Sequence, residues 1–265
     1  MDKSSYNRRD ILRAGAIAGT ALAFGKTYAM GAKRSPQKLS TLPEIKQKPL
    51  DQVHIGFVGV GGQGSNHIKN LLNIQGAVIA AVCDIVPEKV ERVQKWVVDA
   101  GFEKPTGYTK GERDFERMCE NENLDIVMTA TPWKWHVPVC VSAMKNGKHA
   151  ATEVPAAVTI DECWQLVETA EKYGKHCIML ENCCYDRFEM MMFNMSRKGL
   201  LGELVHGEGG YMHNLQEVKL GGEGEALWRT EHSIKRNGNL YPTHGLGPIA
   251  QIGRASCRER VSSVV

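Results

Sequence analysis

His54-Ile55-Gly56-Phe57-Val58-Gly59-Val60-Gly61-Gly62-Gln63-Gly64 is the stretch on which the fold turns. Its first five residues read as a short apolar strand. The glycine pattern that follows leads into an amphipathic stretch through Leu72. Alone, the pattern Gly-x-Gly-x-x-Gly is weak evidence. Between a strand and a helix it sits where its mechanism requires it. Gly59 permits the tight turn, Gly61 lets the backbone approach a pyrophosphate, and Gly64 lets helix and strand pack closely. Gly62 and Gln63 complete the turn, and the helix N-terminus then faces phosphate charge.

The next apolar run, Ala77 to Cys83, ends in Asp84, twenty residues after Gly64. A carboxylate there accepts hydrogen bonds from the ribose hydroxyls of an adenosine and repels a 2′-phosphate, which favours NAD over NADP. The alternative for Asp84 is a helix cap ahead of Pro87. Beyond it the pattern alternates. Helices are predicted over Val90–Ala100, Val137–Asn146 and Ile160–Tyr173, and strands over Leu124–Ala130, His149–Thr152 and Cys177–Leu180. Strands alternating with helices make a doubly wound parallel sheet, an α/β Rossmann fold, with ligands at the carboxyl ends of the strands. Those ends carry Gly59–Gly64, Asp84, Thr131–His136, Glu153-Val154 and Glu181-Asn182. Trp133, Lys134, Trp135 and His136 form an unusual loop after a central strand. They are candidates for cofactor contact with Glu153, Val154 and Asn182, the alternative being that the two tryptophans cover the sheet end as core.

The composition fits this reading. The 265 residues are 42% hydrophobic, 24% charged and 7% aromatic, which is ordinary for a globular protein and excludes fibrous or disordered classes. No long uncharged apolar run suggests a membrane span. Eight cysteines without a closely spaced pair of the Cys-x-x-Cys type argue against a disulfide framework or a structural zinc site, and no metal is expected. The formal charge of +3 is concentrated at the ends. Lys3, Arg8, Arg9, Arg13 and Lys26 oppose only Asp2 and Asp10 in residues 1–31, and Arg254, Arg258 and Arg260 oppose only Glu259 in residues 252–265. The middle is mildly acidic, so nucleic-acid binding has no electrostatic support.

Arg8-Arg9, the weakly apolar run Ala14 to Phe24 and the small residues around Ala29 and Gly31 resemble a twin-arginine export signal over residues 1–31. No cysteine near the cleavage region indicates a lipid anchor. The expectation is an exported, periplasmic protein that meets the twin-arginine machinery. Residues 32–52 read as a linker, 53–182 as the NAD-binding domain, and 183–251 as the first part of a substrate domain. Residues 252–265 lack apolar periodicity and interrupt a helix expected from Pro248, so they read as a non-native tail.

After Asn182 the character changes. A helix is expected from Tyr185 to Arg197, its Met190–Met192 cluster serving as core packing. A strand of the second domain is expected over Gly202–His213. Then come Trp228-Arg229-Thr230 and the run Asn237-Gly238-Asn239-Leu240-Tyr241-Pro242-Thr243-His244-Gly245-Leu246-Gly247. Loops so dense in Gly, Pro, Tyr, His and Arg usually serve sites. Tyr241 and His244 both exchange protons, and Arg229 offers a fixed fork of donors. The alternative is a loop stapled by Tyr and His hydrogen bonds.

These residues, with the Arg8-Arg9 leader, Gly59–Gly64, Asp84, Trp133–His136, Glu153-Val154-Pro155 and Asn182, resemble the glucose–fructose oxidoreductase / inositol dehydrogenase family. They are most similar to its branch in glycoside hydrolase family 109, the NAD-dependent α-N-acetylgalactosaminidases. The resemblance covers roughly residues 53–251. It implies a Rossmann domain followed by an open-faced α/β substrate domain, here cut short. The wider family usually carries Glu-Lys-Pro where this chain has Glu153-Val154-Pro155, and a valine cannot shuttle a proton. The glycosidase branch shares that change.

The resemblance also implies a redox-neutral cycle on terminal α-N-acetylgalactosamine: oxidation at C3, loss of the acidified C2 proton, elimination of the anomeric substituent, addition of water, and re-reduction by the same cofactor. Tyr211, Arg229, Tyr241, Pro242, Thr243 and His244 would line the sugar site, with His244 and Tyr241 as proton-transfer groups. Such a cycle suits an exported protein, because it never needs to exchange its NAD. The alternatives are an exported NAD(P)-dependent sugar oxidoreductase with tightly bound cofactor and an inactive or sugar-binding fragment. A homo-oligomer is compatible with each.

Overall fold

The structure, a computed structural model, describes residues 49–224 and 226–256. The export leader and the greater part of the linker and of the 252–265 tail lie outside the described residues.

Six strands form one parallel sheet: β1 (Val53–Val58), β2 (Ala77–Cys83), β3 (Thr106–Tyr108), β4 (Ile126–Thr129), β5 (His149–Thr152) and β6 (Cys177–Met179). Their spatial order is β3-β2-β1-β4-β5-β6, the doubly wound arrangement the alternation predicts. Between them run α1 (Gly62–Leu71), α2 (Pro87–Asp99), α3 (Asp114–Asn121), α4 (His136–Lys145) and α5 (Ile160–Tyr173). The strand order reverses between β1 and β4. Their carboxyl ends, at Gly59 and at Ala130-Thr131, therefore flank the crevice where such sheets bind ligands.

Each face of the sheet is sealed by its own helices. Ile68 of α1 and Val90, Val93 and Val97 of α2 pack on Phe57, Ile79 and Val82. Phe115 and Met118 of α3, Val137 and Val141 of α4, and Leu166 of α5 close the other face over Ala81 and Val127. The helix limits follow from local chemistry. Pro87 starts α2 at a position where its missing N–H costs nothing. Thr159 and Glu162 form a reciprocal capping box at the start of α5, and Gly174, in the left-handed region at φ 60°, ends it.

Within the sheet domain two elements were not predicted, β3 and α3. β3 has three residues and two are exposed, so it carries no alternation to read. The strand expected over Gly202–His213 does not form: among the described residues, 203–215 are irregular and those after β6 form no strand. The described residues after the turn Asn182–Tyr185 form α6 (Arg187–Arg197), α7 (Gln216–Leu220), α8 (Ala226–Lys235) and α9 (Thr243–Ser256), with irregular connections. Helix α9 starts at Thr243 rather than near Pro248 and runs through Ile252, with Pro248 inside its first half. None of the helices among the described residues is long and apolar enough to cross a membrane.

His136 opens α4 but is 1% exposed, with Nδ1 2.7 Å from the Pro155 carbonyl and Nε2 2.9 Å from the Thr131 carbonyl. It ties the β4 and β5 loops together and is not the cofactor ligand expected from the sequence. Burial holds its imidazole below the usual histidine range, although the two carbonyls favour the cation. A lowered folded pKa means that the unfolded chain binds the extra proton first. Stability is then expected to fall as pH drops below about 6.5. Urea melts at pH 7.5 and pH 5.5 check this, with a flatter pH slope expected for His136→Gln.

Candidate active site

The glycine turn leaves the N-terminus of α1 bare. Gly61 caps it without a side-chain hydrogen bond, and no acidic residue stands in its first turn. The orphan N–H groups of that turn are a ready anion site. A Cβ built at Gly61 or Gly62 meets nothing within 4 Å, so the approach is open. At Gly64 a Cβ would collide with the Gly59 carbonyl oxygen, which is why α1 can lie so close to β1 only with glycine there.

Asp84 ties together the backbone of two neighbouring turns at the end of the sheet. Its Oδ2 accepts from the Val60 N–H at 2.9 Å, holding the glycine turn, and its Oδ1 accepts from the Val86 N–H at 3.0 Å just ahead of α2. It lines a cavity of about 180 Å³ with Gly59, Ile85, Pro132, Lys134 and Trp135. This cavity could hold the adenosine half of a dinucleotide, and the residues fit NAD. Asp84→Ala is expected to weaken NAD binding about tenfold and to remove the preference over NADP, measured by calorimetric titration of both nucleotides.

Glu153 acts as a clamp on α1. Its Oε1 is 2.5 Å from His67 Nε2 and accepts from Gln63 Nε2 at 3.1 Å, while Oε2 accepts from the Val154 N–H at 3.0 Å. Burial alone would raise this carboxyl, but the three hydrogen bonds outweigh it and hold it below the usual range. Val154 is buried at 4% exposure, so its side chain is core rather than a cofactor ligand. Asn182 is exposed and opens the single helical turn Asn182–Tyr185. Lys134 is exposed and pairs with Glu112, and Trp135 packs edge-on against Phe115.

The second cluster gathers residues far apart in sequence. Trp133 is buried at the end of the sheet and stacks on Tyr241, with ring centroids 5.8 Å apart and 15° between planes. Trp228 meets Trp133 edge-on at 5.1 Å. The Arg229 guanidinium lies 4.7 Å from the Trp228 ring, 5.1 Å from Trp133 and 5.6 Å from Tyr241, a cation held by three aromatic faces. The His244 ring is edge-on to both Tyr211 at 4.7 Å and Tyr241 at 4.9 Å. Burial pushes the Tyr241 hydroxyl above its ordinary value, against the opposing pull of Arg229. Pro242 and Thr243 lead into α9, and the Pro242 carbonyl accepts from the Gly245 and Leu246 N–H groups.

Glu181, at the end of β6, was not predicted as part of this group. Its Oε1 lies 2.5 Å from His244 Nδ1, and both side chains are nearly buried. A carboxylate accepting from Nδ1–H fixes the tautomer and leaves the Nε2 lone pair for a reacting proton. The contact depends on Gly247, where a Cβ would stand 2.9 Å from Cys184 Sγ and 3.0 Å from Glu181 Cγ. The glycine density that reads as a loop is therefore the close packing of α9. Cys183 Sγ completes a trio of possible metal donors within 4.8 Å of one another. Burial, reinforced by Glu181, raises its thiol to about 11.

Comparison with known proteins agrees with both halves. Residues 53–181 match the family model for the oxidoreductase family, NAD-binding Rossmann fold, and residues 185–265 match that for the glycosyl hydrolase 109 C-terminal domain. A glycosyl hydrolase family 109 protein of Solibacter usitatus is 43% identical over 267 residues, covering 100% of this chain and 59% of that protein. One of Shewanella pealeana is 41% identical over 249 residues, covering 92% and 55%. The chain thus spans a little over half the length of the curated relatives it matches. Among solved structures, the apo scyllo-inositol dehydrogenase of Lactobacillus casei superposes with a TM-score of 0.51 at 22% identity over 58% of this chain and 44% of that one. The myo-inositol dehydrogenase of Lactobacillus casei, in complex with NAD(H) and myo-inositol, superposes with a TM-score of 0.50 at 25% identity over 57% and 43%. With a match to an NAD-binding Rossmann domain in front and to the glycosyl hydrolase 109 C-terminal domain behind, the chain is similar to glycosyl hydrolase family 109 proteins over most of its length.

Proposed function

We propose that the full-length protein is an NAD-dependent glycosidase that releases terminal α-N-acetylgalactosamine without net redox change. The observation that carries this reading is the buried Glu181–His244 pair set against Tyr211 and Tyr241, beside a Glu153-Val154 corner that offers no lysine. NAD, when bound, supplies reversible acceptance of a hydride from a sugar carbon, which acidifies the neighbouring C–H.

The chain's own residues supply the rest. The bare N-terminus of α1 would hold the pyrophosphate, and Asp84 the ribose hydroxyls. Tyr241, backed by the buried Trp133, and Tyr211 offer aromatic surface for a sugar ring. Arg229, fixed by its three aromatic neighbours, presents positive charge toward the sugar's oxygens. His244 Nε2, with Nδ1–H committed to Glu181, is the group suited to take a carbon-bound proton. Tyr241, held protonated, is suited to give one to a departing oxygen. No pair of opposed carboxylates is needed.

Export by the twin-arginine route to the periplasm belongs to the same proposal. It is supported by Arg8-Arg9 and the run to Gly31, and by the economy of a cofactor that is never exchanged. The test is release of aglycone from an aryl α-N-acetylgalactosaminide by the full-length protein with no cofactor added. Release supports the reading. Oxidation of the sugar without release favours the sugar oxidoreductase instead.

A further inference from the structure

Three donors of different chemistry converge where the chain leaves β6 and where α9 begins. A Glu181 carboxylate oxygen, Cys183 Sγ and His244 Nδ1 all lie within 4.8 Å of one another. Glu181 is buried, and its two oxygens are used unequally. Oε1 accepts from the Cys183 N–H at 3.1 Å and faces His244 Nδ1, whereas the buried Oε2 has no hydrogen-bond partner among the described residues. A buried carboxylate oxygen without a partner is costly, and a cation offsets that cost. Asp186 and Glu189 act with Glu181 to disfavour a thiolate at Cys183, and the same negative field attracts a cation. Cys183 is partly exposed while the other two side chains are nearly buried, so the cluster opens to solvent on the thiol side.

Imidazole, thiolate and carboxylate together make a donor set that suits zinc and cobalt, not magnesium or calcium, which take oxygen. Donors on one tetrahedral zinc lie about 2.0–2.3 Å from it and so about 3.5 Å apart, so side-chain movements of about 1 Å gather the trio. One carboxylate and one thiolate cancel the two charges of the ion, which leaves the filled site neutral where it is buried. We propose that Glu181, Cys183 and His244 bind one zinc ion reversibly, and that the bound ion switches off the proton transfer assigned to His244. Cys183 Sγ gives its proton to solvent and bonds the metal. The Nδ1 lone pair also bonds the metal, so the imidazole proton moves from Nδ1 to Nε2. The Nε2 lone pair that would take a carbon-bound proton is thereby lost. No electron is transferred, and one proton leaves for each ion bound. The inhibitory half of the proposal rests on the glycosidase reading; the binding half does not.

The test uses cobalt(II) as the spectroscopic probe and zinc as its competitor, in this chain and in the full-length protein. Titration with cobalt is expected to give the cobalt–thiolate charge-transfer band at one ion per chain, removed by zinc and left unchanged by magnesium. Cys183→Ser is expected to weaken binding by about 100-fold or more and to abolish the band, and Cys183→Ala to do the same. Cys163→Ser, at an exposed cysteine of α5, should keep it. In the full-length protein zinc should lower kcat by about 100-fold or more, and a chelator should restore it. Cys183→Ser should keep the parental kcat without zinc and resist inhibition. A cobalt complex without the thiolate band, or binding and inhibition that survive both Cys183 substitutions, overturns the proposal. Failure of the glycosidase reading looks different. The band and its loss in Cys183→Ser would stand in a protein that releases no sugar, and the switch would fall while the metal site remained.

Discussion

Glu181→Gln in the full-length protein is expected to lower kcat for an aryl α-N-acetylgalactosaminide by about 10²–10⁴-fold, with KM within about threefold of the parent. The carboxylate accepts from His244 Nδ1–H at 2.5 Å. A glutamine amide can turn its N–H toward Nδ1 instead. That moves the imidazole proton to Nε2 and removes the lone pair that faces the substrate. The packing is nearly isosteric, so the near-UV spectrum and the melting temperature should change little. His244→Asn should cost about as much, and the double variant little more, because the pair acts as a unit. A kcat within about threefold of the parent for Glu181→Gln would show that the pair is structural. Steady-state kinetics on the three variants checks this.

The glycine turn gives the second large effect, through a contrast between neighbours. Gly61→Ala is expected to leave folding stability within about 1 kcal/mol, because a Cβ there meets nothing within 4 Å. It is also expected to weaken NAD binding by about tenfold or more, because that open space is where a pyrophosphate approaches the backbone. Gly64→Ala is expected to destabilise the fold itself by about 1–3 kcal/mol, since the new methyl meets the Gly59 carbonyl and α1 must move off β1. Urea melts and calorimetric NAD titrations separate the two. If both substitutions acted mainly on stability, the turn would be a packing device rather than a cofactor cradle.

Much of this architecture is legible in the sequence, for reasons that differ by region. The central strands are short apolar runs bounded by glycine or acid, and β5 and α5 fall on the predicted residues. β3 and α3 were missed because they are short. Half of the residues of α3 are charged, and it shows its apolar face only at Phe115, Met118 and Cys119. The chain after β6 reads poorly because its glycines serve two physical purposes that look alike in sequence. In Asn237–Tyr241 they belong to a connection, while in Gly245 and Gly247 they let a helix approach its neighbours. The site was half legible. Arg229 and Tyr241 meet at Trp133, and Tyr211 and Tyr241 each meet His244 edge-on, a grouping the family resemblance implied. Glu181 was visible only as an acid at a strand end, and nothing local marks it as the partner of a histidine 63 residues away. His136 shows the reverse: a histidine in a promising loop that spends both ring nitrogens on backbone carbonyls.

The central claim is that His244 moves a carbon-bound proton in a reaction with no net redox change. Incubating the full-length protein with an aryl α-N-acetylgalactosaminide in deuterated water, with no cofactor added, tests it most directly. The account predicts aglycone release, deuterium at C2 of the liberated sugar, and loss of both in the His244→Asn variant. Release of sugar that keeps its C2 proton, or accumulation of reduced cofactor without release, would contradict it.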